Sequence, residues 1–220
     1  MNTGLLLVHS DRLGIHWKTA TDHNTSVQVH PDQPYHFASI GKTFTSVIIA
    51  VLFEKGLVHF DDRAEKYLDK EIMKGLHIYK GRDHSGDIKI KHLLNHTSGL
   101  ADYYTDKNRE KISLMKRMVS EPSKFWTPIE TINWTKEQLK PKFIPGKGCH
   151  YSDTNYQLLG LIVENITGMA LHEIYEDYIF EPLEMYNTYM PYYSQPKIKP
   201  EYPAADLFYK NLNLLEAKSI

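Results

Sequence analysis

The feature that most constrains the fold is an apolar stretch with helical patterning at residues 37–56. Its large apolar side chains recur at spacings of three and four residues, which is typical of one buried helix face: Phe44, Val47, Ile48, Val51 and Leu52. Gly56 follows Lys55 in the position where a glycine commonly ends a helix. We therefore predict a helix that begins near Ser39 and stops at Gly56.

The start of this helix carries two residues that can do chemistry together. Lys42 follows Ser39 by three residues, so both side chains project from the same side. A serine hydroxyl becomes a good nucleophile when a neighbour takes its proton, and a lysine amine of lowered pKa can do so. The alternative is an ordinary N-cap serine beside a solvated lysine.

The same Ser-x-x-Lys spacing occurs twice more, at Ser113/Lys116 and at Ser194/Lys197. The first pair lies in a charged segment, and the second contains Pro196, which does not fit a helix interior. Only Ser39 opens a strongly apolar helix, so it is the strongest of the three candidates for a nucleophile, while the N-cap alternative stays open.

Composition excludes several classes of protein. Hydrophobic content of 41% and charged content of 24% are ordinary for a soluble globular chain of 220 residues. A net charge of −1 gives no reason to expect nucleic acid as a partner. Cys149 is the single cysteine, so an internal disulfide framework is excluded, and no apolar run is long enough for a membrane span. No secretory apolar region is visible near the N-terminus, and the compartment stays open.

Read in order, the chain predicts strands first and helices afterwards. Two strands, Gly4–His9 and Ile15–Ala20, flank a turn signal. Residues 57–68 predict a turn and then a short helix capped by Asp61 or Asp62. Helical patterning also occurs at 107–120, 124–140, 153–167 and 170–180, with a loop at 80–87. This order predicts an α+β fold.

A second candidate lies on the loop that enters the 153–167 helix. A tyrosine such as Tyr151, placed near a lysine ammonium, can shuttle a proton between a nucleophile and a leaving group. Asp153 follows two residues later, and its plain alternative role is to cap the helix. The Tyr-x-Asp/Asn pattern recurs elsewhere in the chain, so it is weak alone.

The conjunction of these motifs is more specific than any one of them. In order, the chain carries Ser39-Ile40-Gly41-Lys42, Phe60-Asp61-Asp62, Leu93-Leu94-Asn95-His96-Thr97-Ser98-Gly99, Pro145-Gly146, Tyr151-Ser152-Asp153 and Glu181-Pro182-Leu183-Glu184-Met185. This series resembles the serine β-lactamase and penicillin-recognising superfamily, in particular the class C-like branch with D-Ala-D-Ala carboxypeptidases and family VIII esterases. Glu184 stands where glycine is usual in that family.

The resemblance implies a serine hydrolase with a β-lactamase/transpeptidase-like fold, an antiparallel sheet beside a helical subdomain. It implies that Ser39 is acylated, that Lys42 and Tyr151 transfer protons, and that the Ser39 N–H forms half of the oxyanion hole. The His96-Thr97-Ser98-Gly99 loop is expected to support the site. No cofactor is implied, and the expected partner is a small acyl substrate, whether peptide, ester or β-lactam.

Two departures from the family pattern bear on the chemistry. Asp153 stands where Asn is usual, and a carboxylate can only accept hydrogen bonds, so it should hold Lys42 charged, shift base duty towards Tyr151 and repel a substrate carbonyl. The family's Lys/His-x-Gly motif is absent after Tyr151, because no glycine follows Gly168. His84-Ser85-Gly86 matches the Lys/His-x-Gly pattern, but it precedes Tyr151 and lies in a polar loop. We therefore interpret it as a decoy, a chance match without the motif's function.

The missing motif predicts that residues 1–220 are one β-lactamase-like domain without its C-terminal part. In this interpretation 1–38 supply sheet strands, 39–190 are mainly helical and 191–220 form an irregular tail. A lone hairpin exposes unpaired edges, so we expect self-association or a complementing C-terminal segment.

Two functions of other classes stay open from the residues alone. His92 and His96 are four residues apart and could share a metal ion, although no third ligand is marked. The fold could also serve as a catalytically weak or inactive binding or scaffold module. Labelling of Ser39 by a phosphonate separates both from a serine hydrolase.

Overall fold

The computed structural model describes residues 4–21, 29–121 and 123–205, with the backbone of 208–209 and 212–213. Within these residues the α-helices are α1 (Lys42–Glu54), α2 (Lys70–Met73), α3 (Ile90–Leu94), α4 (Leu114–Ser120), α5 (Pro128–Gln138), α6 (Asp153–Thr167) and α7 (Leu171–Tyr175). The strands form antiparallel hairpins: β1–β2 (Gly4–Ser10, Ile15–Thr21), β3–β4 (Ile78–Tyr79, Arg82–Asp83) and β5–β6 (Phe208–Tyr209, Leu212–Asn213). Small antiparallel sheets accompany a helical body, so the predicted α+β class is confirmed.

The helix α1 follows the predicted apolar stripe and ends as predicted. Ile48, Ile49 and Leu52 are buried on one face. Gly56 has φ +69°, and the N–H groups of Gly56 and Leu57 donate to carbonyl oxygens of the last turn. The predicted start near Ser39 was wrong, because α1 begins at Lys42. Ser39 lies in a separate 3₁₀ turn, Ala38–Gly41, and makes no side-chain capping bond.

The helix α6 has the predicted bounds and lies at the centre of the core. It ends at Gly168, which has φ +70°, and it packs against α1, α3, α5 and α7. Its core-facing residues are fully buried: Leu158, Leu159, Ile162 and Val163. Because α1 and α6 pack together, the residues that begin these two helices are brought close to each other.

Two predicted helices are shorter than their patterns. The segment 107–120 is helical only as α4, because the Asn108 side chain accepts from the N–H groups of Glu110 and Ile112 and closes a turn before it. The segment 124–140 is helical as α5, where Thr127 and Glu130 form a reciprocal capping box at the start.

Three further segments differ from their predictions. Residues 57–68 contain only a 3₁₀ turn, Ala64–Lys66, and Asp62 does not cap it but accepts from the His59 N–H. The predicted loop 80–87 includes strand β4, which pairs with β3 across Lys80 and Gly81, both at positive φ. The 170–180 helix is α7 continued by a π-helical turn, Glu176–Phe180.

The β1–β2 hairpin is exposed on both faces. Cross-strand partners share a face, so Val8 and Trp17, which pair directly, lie on the same side as Leu6 and Ile15. All four are between 39% and 53% exposed. In the part of the chain that the structure describes, no third strand pairs with this hairpin.

Residues 191–205 are irregular, but the tail predicted to be irregular over 191–220 also contains the strands β5 and β6. Most of 206–220 lies outside the described residues. The division of 1–220 into one domain without its C-terminal part stays a prediction.

Candidate functional site

Three of the predicted site residues converge where α1 and α6 begin. Lys42 is the first residue of α1, and its Nζ donates a hydrogen bond to Ser39 Oγ over 3.2 Å. Asp153 is the first residue of α6, and its Oδ1 lies 2.5 Å from the same Nζ. The Ser39 side chain is exposed, whereas those of Lys42 and Asp153 are 18% and 20% exposed. A reachable hydroxyl is thus held against a mostly enclosed ion pair.

Lys42 is held in its charged form. Burial lowers the pKa of this amine, but Asp153 and Tyr151 together raise it more, and the net pKa lies above the ordinary lysine value. The prediction that the Asp153 carboxylate keeps Lys42 protonated agrees with this direction. In the resting site the ammonium therefore donates to Ser39 and does not accept its proton.

Tyr151 lies beside this ion pair on the solvent side. Its ring centroid is 5.1 Å from Lys42 Nζ, and the ring is 49% exposed. A second ring, that of Tyr156 on α6, has its centroid 5.8 Å from the same nitrogen. The two rings and the carboxylate surround the ammonium with groups that favour positive charge.

The backbone is strained on both sides of the site. Ala38, directly before Ser39, has φ +44°, and His96 has φ +55°. Residues other than glycine adopt this region at a cost of about 1–3 kcal/mol, and such strain concentrates at functional sites. The strain at Ala38 sets the direction in which the Ser39 turn leaves the preceding segment.

The His96–Gly99 loop positions the segment that ends at Tyr151. Three backbone hydrogen bonds join the two: Lys142 N–H to Gly99 O, Gly146 N–H to Thr97 O and His150 N–H to His96 O, at 2.8–2.9 Å. At Gly99, with φ +77°, an added Cβ would lie 2.0 Å from Phe143 O. The close approach requires glycine, and the supporting role predicted for this loop agrees with these contacts.

Sequence reasoning missed Asp102, a buried carboxylate that caps α6. Its Oδ1 accepts from the Asp153 N–H over 2.9 Å, and its oxygens also accept from the N–H groups of Tyr104 and Thr105. The alternative in which Asp153 itself caps the helix is therefore wrong, since Asp153 supplies the N–H that is capped. No local pattern marks Asp102, because its partner is distant in sequence.

The two other Ser-x-x-Lys pairs have structural partners. Ser113 is the N-cap of α4 and accepts from the Lys116 N–H. Ser194 Oγ accepts from the Met190 N–H in a turn, and Lys197 pairs with Glu176. Ser39 does not have such an N-cap role, because the N-cap of α1 is Gly41.

His84 and Ser85 are buried, so the His84-Ser85-Gly86 segment is not the polar loop that was expected. Ser85 Oγ donates to Asp83 and accepts from the His77 N–H, and His84 Nδ1 lies 2.9 Å from an Asp87 oxygen. These contacts stabilise the β3–β4 hairpin, which agrees with the decoy interpretation.

His92 and His96 direct their imidazoles to different backbone groups. His92 Nδ1 accepts from the Lys89 N–H, whereas His96 Nδ1 accepts from the Ser152 N–H. Among the described residues, no group of three His, Cys, Asp or Glu side chains is placed to hold a metal ion. Nor does any helix in the described ranges have the length and apolar character to cross a bilayer.

Comparison with known proteins gives one consistent result. The family model described as Beta-lactamase matches residues 4–201. Penicillin-binding protein 4* of Bacillus subtilis is 31% identical over 158 residues, which cover 70% of this chain and 30% of that protein. The chain thus spans about a third of the length of this curated relative.

Solved structures show the same likeness. A D-stereospecific amidohydrolase from Streptomyces sp. has a TM-score of 0.64 at 26% identity, over 77% of this chain and 46% of that one. An octameric penicillin-binding protein homologue from Pyrococcus abyssi has a TM-score of 0.55 at 28% identity, over 70% of this chain and 32% of that one.

Proposed function

The chain belongs to the β-lactamase family, and from this premise we propose that it is a serine hydrolase that forms a covalent acyl-enzyme on Ser39. The observation that carries the proposal is the exposed Ser39 hydroxyl, which accepts a hydrogen bond from the Lys42 ammonium next to Tyr151 and Asp153. Relatives in the family include a penicillin-binding protein and an amidohydrolase, so the substrate class proposed is a small amide, ester or β-lactam.

Proton transfer in the proposed mechanism runs through Tyr151. Lys42 is protonated at rest, so Tyr151 acts as a phenolate that the adjacent ammonium stabilises, and it becomes a phenol when it takes the proton of Ser39 Oγ. Ser39 Oγ bonds to the substrate carbonyl carbon, and the oxygen that becomes negative is met by the Ser39 N–H. Tyr151 returns the proton to the leaving group, the acyl-enzyme remains, and water releases the acid by the reverse sequence.

The start of two helices is a favourable place for this chemistry. The N-termini of α1 and α6 carry partial positive charge, which stabilises the Asp153 carboxylate and a developing oxyanion near Ser39. The same field disfavours the Lys42 ammonium, and the contact with Asp153 offsets that cost.

Covalent labelling tests the proposed nucleophile. A fluorophosphonate should add once to the chain at Ser39, detected by intact mass and peptide mapping, and Ser39→Ala should abolish both labelling and nitrophenyl ester hydrolysis. Ser113→Ala and Ser194→Ala serve as controls and should label like the wild type. Labelling at either control serine instead, or none at all, would reject the assignment and favour a binding module.

Two further substitutions test the proton-transfer roles. Lys42→Ala and Tyr151→Phe should each lower the acylation rate by roughly 10²–10⁴-fold without loss of folding. The losses should be far from additive in the double variant, because both residues act on one proton transfer. Acylation at the wild-type rate in either variant contradicts that residue's role.

Self-association is the second part of the proposal. The β1–β2 hairpin exposes an apolar face, and no other described strand pairs with its edges, which supports pairing with another strand or a second copy. The penicillin-binding protein homologue from Pyrococcus abyssi is octameric.

A further inference from the structure

We propose that His96 is a positioning residue for the reaction. Its neutral imidazole, held between Tyr151 and Tyr156, sets the orientation of the Tyr151 ring beside Lys42. The inference rests on the function proposed above and adds a residue that acts on Tyr151 without touching the reacting atoms.

The imidazole lies against both tyrosine rings. Its centroid is 4.4 Å from that of Tyr151, with 32° between the planes, and 5.3 Å from that of Tyr156, with 37° between the planes. Lys42 Nζ faces the same two tyrosines. His96 therefore contacts both of the rings that face the ammonium.

The contacts of His96 fix both its orientation and its tautomer. Asn155 directs its side-chain oxygen to Ser98 Oγ, at 2.6 Å, which leaves its NH₂ group to face His96 Nδ1 at 3.1 Å. The Ser152 N–H donates to the same Nδ1 at 3.1 Å. Nδ1 is thus an acceptor, and the ring hydrogen of the neutral imidazole is on Nε2.

Tyr156 provides a fixed surface behind the imidazole. Its hydroxyl donates to Leu94 O over 3.2 Å and lies 3.0 Å from Ser46 Oγ on α1. Tyr151, by contrast, is half exposed. A chain of contacts therefore runs from the core through Tyr156 and His96 to the ring that needs an exact placement.

Charge around the imidazole favours its neutral form. Burial lowers the pKa of His96, and the Lys42 ammonium lowers it further, while Asp153 and Asp102 act in the opposite direction. Tyr151 and Tyr156 are the other titratable groups against the ring. A proton on Nδ1 would remove the acceptor of the Ser152 N–H, one residue from Tyr151, and would place a second cation beside Lys42.

A purely structural role and a positioning role give different results in His96→Asn. Asparagine tolerates the positive φ, and its side-chain oxygen can still accept from the Ser152 N–H, but the ring between the tyrosines is lost. Fluorophosphonate acylation of Ser39 should fall roughly 10- to 100-fold, the size expected for a misplaced catalytic group, with the unfolding midpoint retained. His92→Asn, the same change at an imidazole that bonds Lys89, is the control and should acylate like the wild type.

Coupling to Tyr151 gives the decisive readout. In the Tyr151→Phe background, His96→Asn should cause no further loss, because the group that it positions no longer transfers a proton. An unchanged rate in His96→Asn, or an equal loss in both backgrounds, overturns the inference while the proposed function stands. Failure of the wild type to label at Ser39 removes the proposed function and the inference together.

The wild type provides a second test should His96→Asn not fold. Its acylation rate should fall in step with protonation of His96, followed by NMR of the ring Cε1–H. A rate that stays constant through that titration also overturns the inference.

Discussion

At the scale of single residues, the contact between Lys42 and Asp153 decides how the site can work. An asparagine at position 153 would leave Lys42 without an anionic partner and would lower the pKa of its ammonium. The amide could also donate to a substrate carbonyl. The aspartate found here raises the pKa of the Lys42 ammonium and has no donor to offer. We therefore expect Asp153 to determine which acyl compounds react.

Replacing this carboxylate should change the preference of the site. Asp153→Asn should raise the rate of β-lactam acylation relative to nitrophenyl ester acylation, because the amide can donate to the lactam carbonyl. The pKa of Lys42 should fall without its anionic partner, so the alkaline part of the rate profile should move to lower pH. Stopped-flow acylation with both substrates measures the ratio.

Asp87→Asn, at a carboxylate that pairs with His84, is the matched control for that experiment and should leave the ratio unchanged. An unaltered ratio in Asp153→Asn would show that Asp153 does not discriminate between substrates.

At the scale of elements, the site depends on one loop more than on any helix. The two helices supply Lys42 and Asp153 as their first residues, but Tyr151 lies outside both. Backbone hydrogen bonds from the 96–99 loop to the 142–150 segment hold the chain that leads to Tyr151. The rate of Ser39 acylation should therefore depend on how accurately these hydrogen bonds place Tyr151.

Gly99→Ala tests this connection against a second glycine with a similar positive φ, which would strain any other residue. Gly81 has φ +82° and open space around its Cβ position, so Gly81→Ala should cost about 1–2 kcal/mol in stability from strain alone. Gly99→Ala adds an overlap with Phe143 O and should cost a further 1–3 kcal/mol, about the usual penalty of overpacking. Urea unfolding measures the stabilities.

Acylation of Ser39 should drop in Gly99→Ala and stay near the wild-type rate in Gly81→Ala. Equal stability and equal acylation in the two variants would contradict a positioning role for the loop.

At the scale of the whole molecule, the exposed apolar face of the β1–β2 hairpin should govern association. Sedimentation velocity should show concentration-dependent self-association of the wild-type chain, reduced by Leu6→Lys, which places a charge on the apolar face. Leu13→Lys is the control, since Leu13 is 63% exposed but lies in the turn between the strands. A wild-type chain that stays monomeric at all concentrations would rule out this surface as a self-interface.

Histidines that are partly or fully buried should make the whole fold sensitive to mild acid. Burial lowers the pKa of His36, His77, His92 and His96 below the value of about 6.5 that they have when unfolded. The unfolded chain then binds more protons in the window below that value, so stability falls as pH drops through it. The carboxylates with lowered pKa, such as Asp61 and Asp62 at about 2, lose their contribution only at lower pH.

Thermal unfolding from pH 7.5 to 5.5 checks this expectation. The melting temperature should already decrease in this range, and less steeply in His77→Gln, which removes a fully buried imidazole. His16→Gln, at an exposed position, should leave the slope unchanged. A constant melting temperature across the range would show that these histidines do not titrate differently on unfolding.

Local signals in the sequence determined the parts of the fold that depend on neighbours along the chain. The spacing of apolar residues and the glycines at 56 and 168 marked where α1 and α6 end, because those ends need only a left-handed residue and a nearby carbonyl. The interval from Ser39 to Lys42 is likewise local, and their side chains do meet. The order of motifs was enough to indicate the family.

Tertiary structure alone decided the contacts between segments far apart in sequence. Asp102 caps α6, and His96 lies against Tyr151, across separations of about fifty residues that leave no periodic trace. The helix predicted at 107–120 is shorter in the structure, because the Asn108 side chain accepts hydrogen bonds from the N–H groups of Glu110 and Ile112. These bonds compete with the helical hydrogen bonds. The carboxylate beside Lys42 could be read from the sequence, but that it raises the pKa of the ammonium depends on a distance that only the packing of α1 against α6 creates.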